Sequence, residues 1–215
     1  TLAVLEFDHG RSAADIARLP RLYAAAGYAC CVGRPATAAD HADRAMALEG
    51  RPGYDPCEPG LSAFIGALAN VYAGDLDRYV ELAGRAADHP GQSRAYARPA
   101  LVDGLQASGR VDQAVALLPD AVASAREVAN PFWIAYALWI AGLTLSKVDP
   151  ARALSTWDEG VEVVNEHGVD FFRGFMARDA ARQHTIDGDL DVALSLFEPA
   201  IDAFHQAGNV PQLII

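Results

Sequence analysis

The sequence predicts an all-α protein, a solenoid of about five stacked helical hairpins, and three observations predict it. First, apolar residues recur at helical spacing throughout, and no stretch alternates apolar and polar residues in strand fashion between turn residues. Second, a turn-like position precedes a helical pattern in CVGRPATAA, YAGDLDRYV, ASGRVDQAV, LSKVDPARAL and IDGDLDVAL, at Gly33, Gly74, Gly109, Val148 and Gly188. These positions lie 41, 35, 39 and 40 residues apart, a period that marks a stacked array. Third, side-chain size keeps register behind each turn. Five residues on stand Ala38, Tyr79, Ala114, Ala153 and Ala193, and twelve on stand Ala45, Ala86, Ala121, Gly160 and Ala200. Between them, nine residues on, come Ala42, Ala83, Leu118, Trp157 and Phe197. All three offsets share one helix face, so the later copies present a large knob between two small holes, and a neighbouring helix can approach closely.

Helices are expected over residues 12–32, 35–49, 61–73, 75–88, 93–107, 110–127, 131–146, 149–166, 170–186 and 189–206. The single long interruption, GRPGYDPCEPG from Gly50 to Gly60, has three Pro and three Gly and breaks any helix, which makes it a slack connection or a weak internal boundary at 50–60. Asp75, Asp149 and Asp189 are placed to cap the second helices, with Pro150 at the favoured first position. Glycine ahead of a cap can end the preceding helix in the left-handed conformation. Ala129-Asn130, Gly168-Val169 and Gly208-Asn209 have the chemistry to end second helices.

The stretch 131–146 has two Trp, one Tyr and one Phe, and no charge stands between Glu127 and Lys147. As a helix it reaches about 24 Å at 1.5 Å per residue, short of the roughly 30 Å of a membrane core. It is instead expected to be the first helix of an interior hairpin, buried because it is apolar all round. Phe132, Trp133, Leu138, Trp139 and Ile140 are expected chiefly in the core, with one or two of Trp133, Tyr136 and Trp139 open to a groove on the concave side.

At 52% hydrophobic and 21% charged, the chain has enough apolar material for a sizeable core. Its formal net charge of -11 and lack of a Lys/Arg stripe argue against direct nucleic-acid binding and against attachment to an anionic membrane. Cys30, Cys31 and Cys57 form no C-x-x-C pair and suit a reducing, cytoplasmic setting, with Cys30 and Cys31 as small buried hydrophobes near a helix end. No signal peptide is apparent, and both ends read as cuts through a longer polypeptide, so residues 1–215 are taken as one repeat domain of a larger protein.

No catalytic residue, metal site or cofactor is called. The nucleophile-elbow, phosphate-loop, dinucleotide and zinc-helix motifs are all missing. DGDLDVALSLFE, Asp187 to Glu198, imitates a calcium loop, but Val192 occupies the position that needs Gly, and the stretch already fits the helical repeat. None of the six His pairs at ligand spacing, and His41 is expected to be a solvated helix residue. Asp158, Glu159, Glu162 and Glu166 read as a solvated face. The candidate binding set is the concave groove: Tyr96, Asp103 and Gln106 on one first helix, Trp133, Tyr136 and Trp139 on the next, and Arg178 and Arg182 on the one after. Arg178 and Arg182, four apart, could form a fork for a carboxylate or acidic peptide, with an exposed face pairing with nearby Asp as the alternative.

The hairpin turn and the small, large and small residues that follow it resemble the tetratricopeptide (TPR) repeat over nearly the whole chain. That resemblance implies a right-handed α–α superhelix with first helices lining its concave side. The chain departs from the pattern in its longer repeats and in Ala67, Val102, Ala141 and Ala181 where the family prefers Gly. NPFWIAYALW, VDPARAL, FFRGFMARDAARQHTIDGDL and AIDAFHQAGNVPQLI resemble the C-terminal helical region of large actinobacterial regulators that join an ATPase module to a nucleotidyl cyclase-like or LuxR-type domain. This implies a non-catalytic module that binds a protein, a peptide or another part of its own chain within a signalling or transcription-regulatory protein. The alternative is a sensor that binds a small effector in the groove. The oligomeric state is left open.

Overall fold

The computed structural model describes residues 32–49 and 58–207, together with Leu22, residues 25–27, Ala29 and Arg51. Most of the expected helix over 12–32, the three cysteines, most of the Gly50–Gly60 loop and the stretch from Gly208 onward lie outside the described residues. Among the described residues the fold is all-α. The helices are α1 (Pro35–Met46), α2 (Leu61–Ala73), α3 (Leu76–Ala87), α4 (Ser93–Ala107), α5 (Val111–Glu127), α6 (Pro131–Leu145), α7 (Pro150–His167), a 3-10 turn (Asp170–Phe172), α8 (Arg173–Asp187) and α9 (Leu190–Ala207). They pair as hairpins α2/α3, α4/α5, α6/α7 and α8/α9. Each second helix packs on the next first helix, and first helices also pack on one another along the array. No helix among the described residues is long and apolar enough to cross a membrane.

Local chemistry sets the hairpin ends. The Asp75 carboxylate accepts from the Arg78 backbone N–H at 3.0 Å and Asp149 from that of Arg152 at 3.1 Å, while Asn130 accepts from the N–H of Phe132 at 3.0 Å. Gly74 and Gly188 close α2 and α8 with φ of 81° and 88°, a region that costs a residue with a Cβ about 1–2 kcal/mol. Ala129 takes the same left-handed role at φ 52° without being glycine.

One apolar core runs from Leu22 to Phe204. The repeat holes are closed: Ala114, Ala153 and Ala193 are 0%, 0% and 2% exposed, and Ala45, Ala86, Ala121, Gly160 and Ala200 are buried as well. Trp157 is the clearest knob. It is 2% exposed, its indole Nε1 donates to the Trp139 carbonyl at 3.1 Å, and it lies so close to Gly142 that a Cβ there would stand 2.1 Å from Nε1. First-helix glycines therefore do exist. Gly66, Gly104 and Gly142 face Leu82, Val80 and Trp157 of the partner helices, one or two residues away from the positions where the family pattern places glycine. Tyr79, the one large residue among the small positions, is accommodated beside Gly104, where a Cβ would come within 3.3 Å of its ring.

Two expectations are corrected. The first concerns Phe132 of α6, expected in the core, which opens to the groove together with the two tryptophans for which a groove position was expected. Leu138, Ile140, Ala141 and Leu145 fill the core, while Phe132, Trp133 and Trp139 on the other side are half-buried against an open groove. The second concerns His41, which is 3% exposed because it shares the face of α1 that buries Ala38, Ala42 and Ala45. The acidic face of α7 is exposed as read, with Glu159 paired to Arg126 of α5. In the calcium-like stretch, Asp187 ends α8 and accepts from Gln183 at 3.0 Å, and Leu190 onward is already helix α9.

Candidate functional site: an aromatic groove between first helices

The first helices share a face spacing that puts bulky apolar residues together. On α6, Phe132, Trp133, Tyr136 and Trp139 recur at helical spacing, as do Phe64, Ile65, Leu68 and Tyr72 on α2. With Phe171 and Phe172 of the 3-10 turn, Phe175 of α8 and Gly27 ahead of α1, these residues line a cavity of about 340 Å³. Four first-helix segments thus converge on one side of the array, and no described second helix contributes to the lining. Helix α4 lies beneath it. Its Tyr96 ring is packed between Phe64 at 4.4 Å and Trp133 at 4.9 Å. The wall is a continuous set of ring contacts, such as Phe132 with Phe172 at 4.9 Å and Trp139 with Phe175 at 4.5 Å.

Polar groups close to this wall are already engaged with one another. The Trp139 indole N–H donates to Asp179 Oδ2 at 2.8 Å. Arg178 clamps the same carboxylate with two bonds, Nε to Oδ1 at 2.8 Å and Nη2 to Oδ2 at 2.9 Å. Its guanidinium also lies over the Phe175 and Phe204 rings, at 5.5 and 5.9 Å. On the α4 side, the Tyr79 hydroxyl donates to Asp103 Oδ2 at 2.8 Å and the Gln106 amide donates to Oδ1 at 2.9 Å. Burial pushes the Asp103 carboxyl above its ordinary range, the bonds from Gln106 and Tyr79 oppose that shift, and the Asp179 charge adds to it. Burial, and then the Asp103 charge, hold the Tyr79 and Tyr136 hydroxyls well above the usual phenol range, so both are neutral donors.

Of the residues singled out from sequence, Trp133, Tyr136 and Trp139 all line the cavity, more than the one or two expected. Asp103 and Gln106 sit half-buried behind it and are bonded to each other. Tyr96 is a correction. At 1% exposed it is a core residue, because the α2 and α6 rings cover it on both sides. The arginine fork gives way to its alternative, pairing with a nearby Asp. Arg178 is half-buried and neutralised by its neighbour Asp179, and Arg182, a turn further on, is exposed outside the cavity lining. Sequence reasoning missed Phe64, Tyr72, Phe171, Phe172 and Phe175. A signal for two of them was present: Phe171-Phe172 follows Gly168 by the same offset at which Phe132-Trp133 follows Ala129.

No family model matches the sequence, and no curated protein matches it. Similarity appears among solved structures. The chain superposes on a Rap protein complexed with Competence and Sporulation Factor at a TM-score of 0.76 and 16% identity, covering 94% of this chain and 58% of that one. The apo form of RapI matches at 0.65 and 10% identity, over 96% and 88% of the two chains. The TPR-like repeats of a kinesin light chain from Podosopora anserina match at 0.60 and 17% identity, over 90% and 97%. The fold is a TPR-like helical-repeat solenoid. At these identities the likeness concerns the fold, and the chain spans only 58% of the length of the first Rap protein.

Proposed function

We propose that this chain is a non-catalytic interaction module of a larger cytoplasmic signalling or transcription-regulatory protein, and that its concave groove holds an apolar segment of a protein or peptide partner, including another part of its own polypeptide. One observation carries the reading: first-helix aromatics from successive hairpins converge on one open cavity, while the Trp139 indole N–H and the Tyr79 hydroxyl beside it are bonded within the wall. Such a surface offers contact area for bulky side chains and leaves a buried polar ligand without partners, a penalty of about 1–3 kcal/mol per group. The Rap protein solved with a bound factor supports this use of the fold, and the TPR-like likeness supports protein binding in general. The placement in an ATPase, cyclase or LuxR-type regulator rests on the resemblance of the quoted stretches.

Selection from a random twelve-residue peptide library tests the reading. Wild-type protein should enrich peptides with bulky apolar residues, and Trp133→Ser should lose them while Leu194→Ser on the outer face of α9 keeps them. Peptides that bind all three proteins alike would refute groove recognition.

A second reading, a small-effector sensor, is favoured by the cavity volume of about 340 Å³, which falls in the range of small-ligand sites.

A further inference from the structure

The lining of the cavity has a definite electrostatic character. Nine of its described residues are aromatic, among them Phe64, Trp133, Trp139 and Phe172. No Lys, Arg or His belongs to the described lining. Aromatic faces are the negative side of a quadrupole, so a ring-lined enclosure favours a cation over an anion of equal size.

The charges behind the wall point the same way. Arg178 and Asp179 cancel as a bidentate pair, and the Arg178 guanidinium lies 5.5 Å from the centre of the Phe175 ring. Asp103 has no such counterion. Among the described residues its partners are the neutral Tyr79 and Gln106, and its field reaches Tyr136 in the lining. Among the described residues the balance behind the wall is therefore one uncompensated carboxylate, within a chain of net charge -11. Of the donors in the described lining, the Trp139 N–H is already taken by Asp179.

We propose that the groove binds a small organic cation carrying bulky aromatic or alkyl groups. Its apolar substituents take up the ring surface, and its charge, spread or shielded by those groups, sits against the π-faces in the field of Asp103. This rests on the reading of the groove as a small-molecule site.

Two ions of nearly the same size and shape and opposite charge test it: tetraphenylphosphonium and tetraphenylborate, titrated into the full chain at high salt with tryptophan fluorescence as readout. Screening at high salt suppresses attraction to the net charge of the surface. The phosphonium is expected to bind at least about tenfold more tightly than the borate, a ratio equal to one favourable cation–π contact. Trp133→Ala should abolish the signal, and Asp103→Asn should weaken phosphonium binding about fivefold and strengthen borate binding by a similar factor. Equal binding of the two ions, or preference for the borate, overturns the cation inference and leaves the small-molecule reading standing. Binding of neither overturns both, and phosphonium binding that survives Trp133→Ala places the cation elsewhere and overturns the inference.

Discussion

Gly142 tests how the hairpin α6/α7 is locked. A methyl group at this position would stand 2.1 Å from Trp157 Nε1 and 2.5 Å from both Cδ1 and Cε2, so Gly142→Ala forces the indole to move. Trp157 is 2% exposed and donates to the Trp139 carbonyl, so it has no free space to retreat into without losing that bond. Overpacking of this kind costs about 1–3 kcal/mol and the lost hydrogen bond about 1 kcal/mol. Alanine in a helix interior returns about 1 kcal/mol over glycine. The net expectation is a loss of about 2 kcal/mol, which lowers the melting temperature of a chain this size by about 4–8 °C. Thermal unfolding followed by circular dichroism reads the shift. Gly84→Ala in α3 is the control, because nothing lies within 4 Å of its added Cβ. Only the propensity gain applies there, and that variant should melt higher than wild type. A double-mutant cycle with Trp157→Phe should recover at least about 1 kcal/mol of the Gly142→Ala loss. If both glycine variants shift in the same direction, the packing argument for the hairpin is wrong.

Other positions give independent tests. Ala129→Gly should stabilise by about 0.5–1 kcal/mol in urea unfolding, because it relieves a left-handed alanine at an exposed helix end. Asp179→Ala strips the half-buried Arg178 of its carboxylate and the Trp139 indole of its acceptor, and should cost about 3 kcal/mol in the same assay. Asp103 has a folded-state pKa above its unfolded value, so the folded protein binds this proton more readily. The stability it contributes is fully present below the ordinary carboxylate range and is lost as pH rises through the raised folded value. Asp103→Asn, a neutral mimic, should therefore match wild type near pH 4 and exceed it in melting temperature near pH 7, and a gap that widens toward acid would refute the sign.

The parts of this fold that were legible in the sequence are those fixed by backbone chemistry. Asp75 and Asp149 cap helices because a short carboxylate reaches the first-turn N–H groups, and Gly74 and Gly188 close helices because a positive φ needs no Cβ. The small residues at 114, 153 and 193 mark helix contacts for a comparably local reason, since their size limits how close a neighbour can come. The groove was less legible because it depends on which hairpins meet across the curve of the array. Trp133, Tyr136 and Trp139 were readable as candidates from α6 alone, whereas Phe64 and Tyr72 join them only once α2 and α6 face one another over α4. The arginine fork failed on one neighbour. Helical spacing placed Arg178 and Arg182 on a shared face, and it is the alternative reading, pairing with a nearby Asp, that the structure shows, since Asp179 takes the Arg178 guanidinium.

Hydrogen–deuterium exchange with a library-selected peptide tests the central claim, that the first-helix groove is the binding surface, most directly. The account predicts added protection in α2, α6 and α8 and in the Asp170–Phe172 turn, with α3, α5, α7 and α9 unchanged. Protection concentrated on those second helices would contradict it.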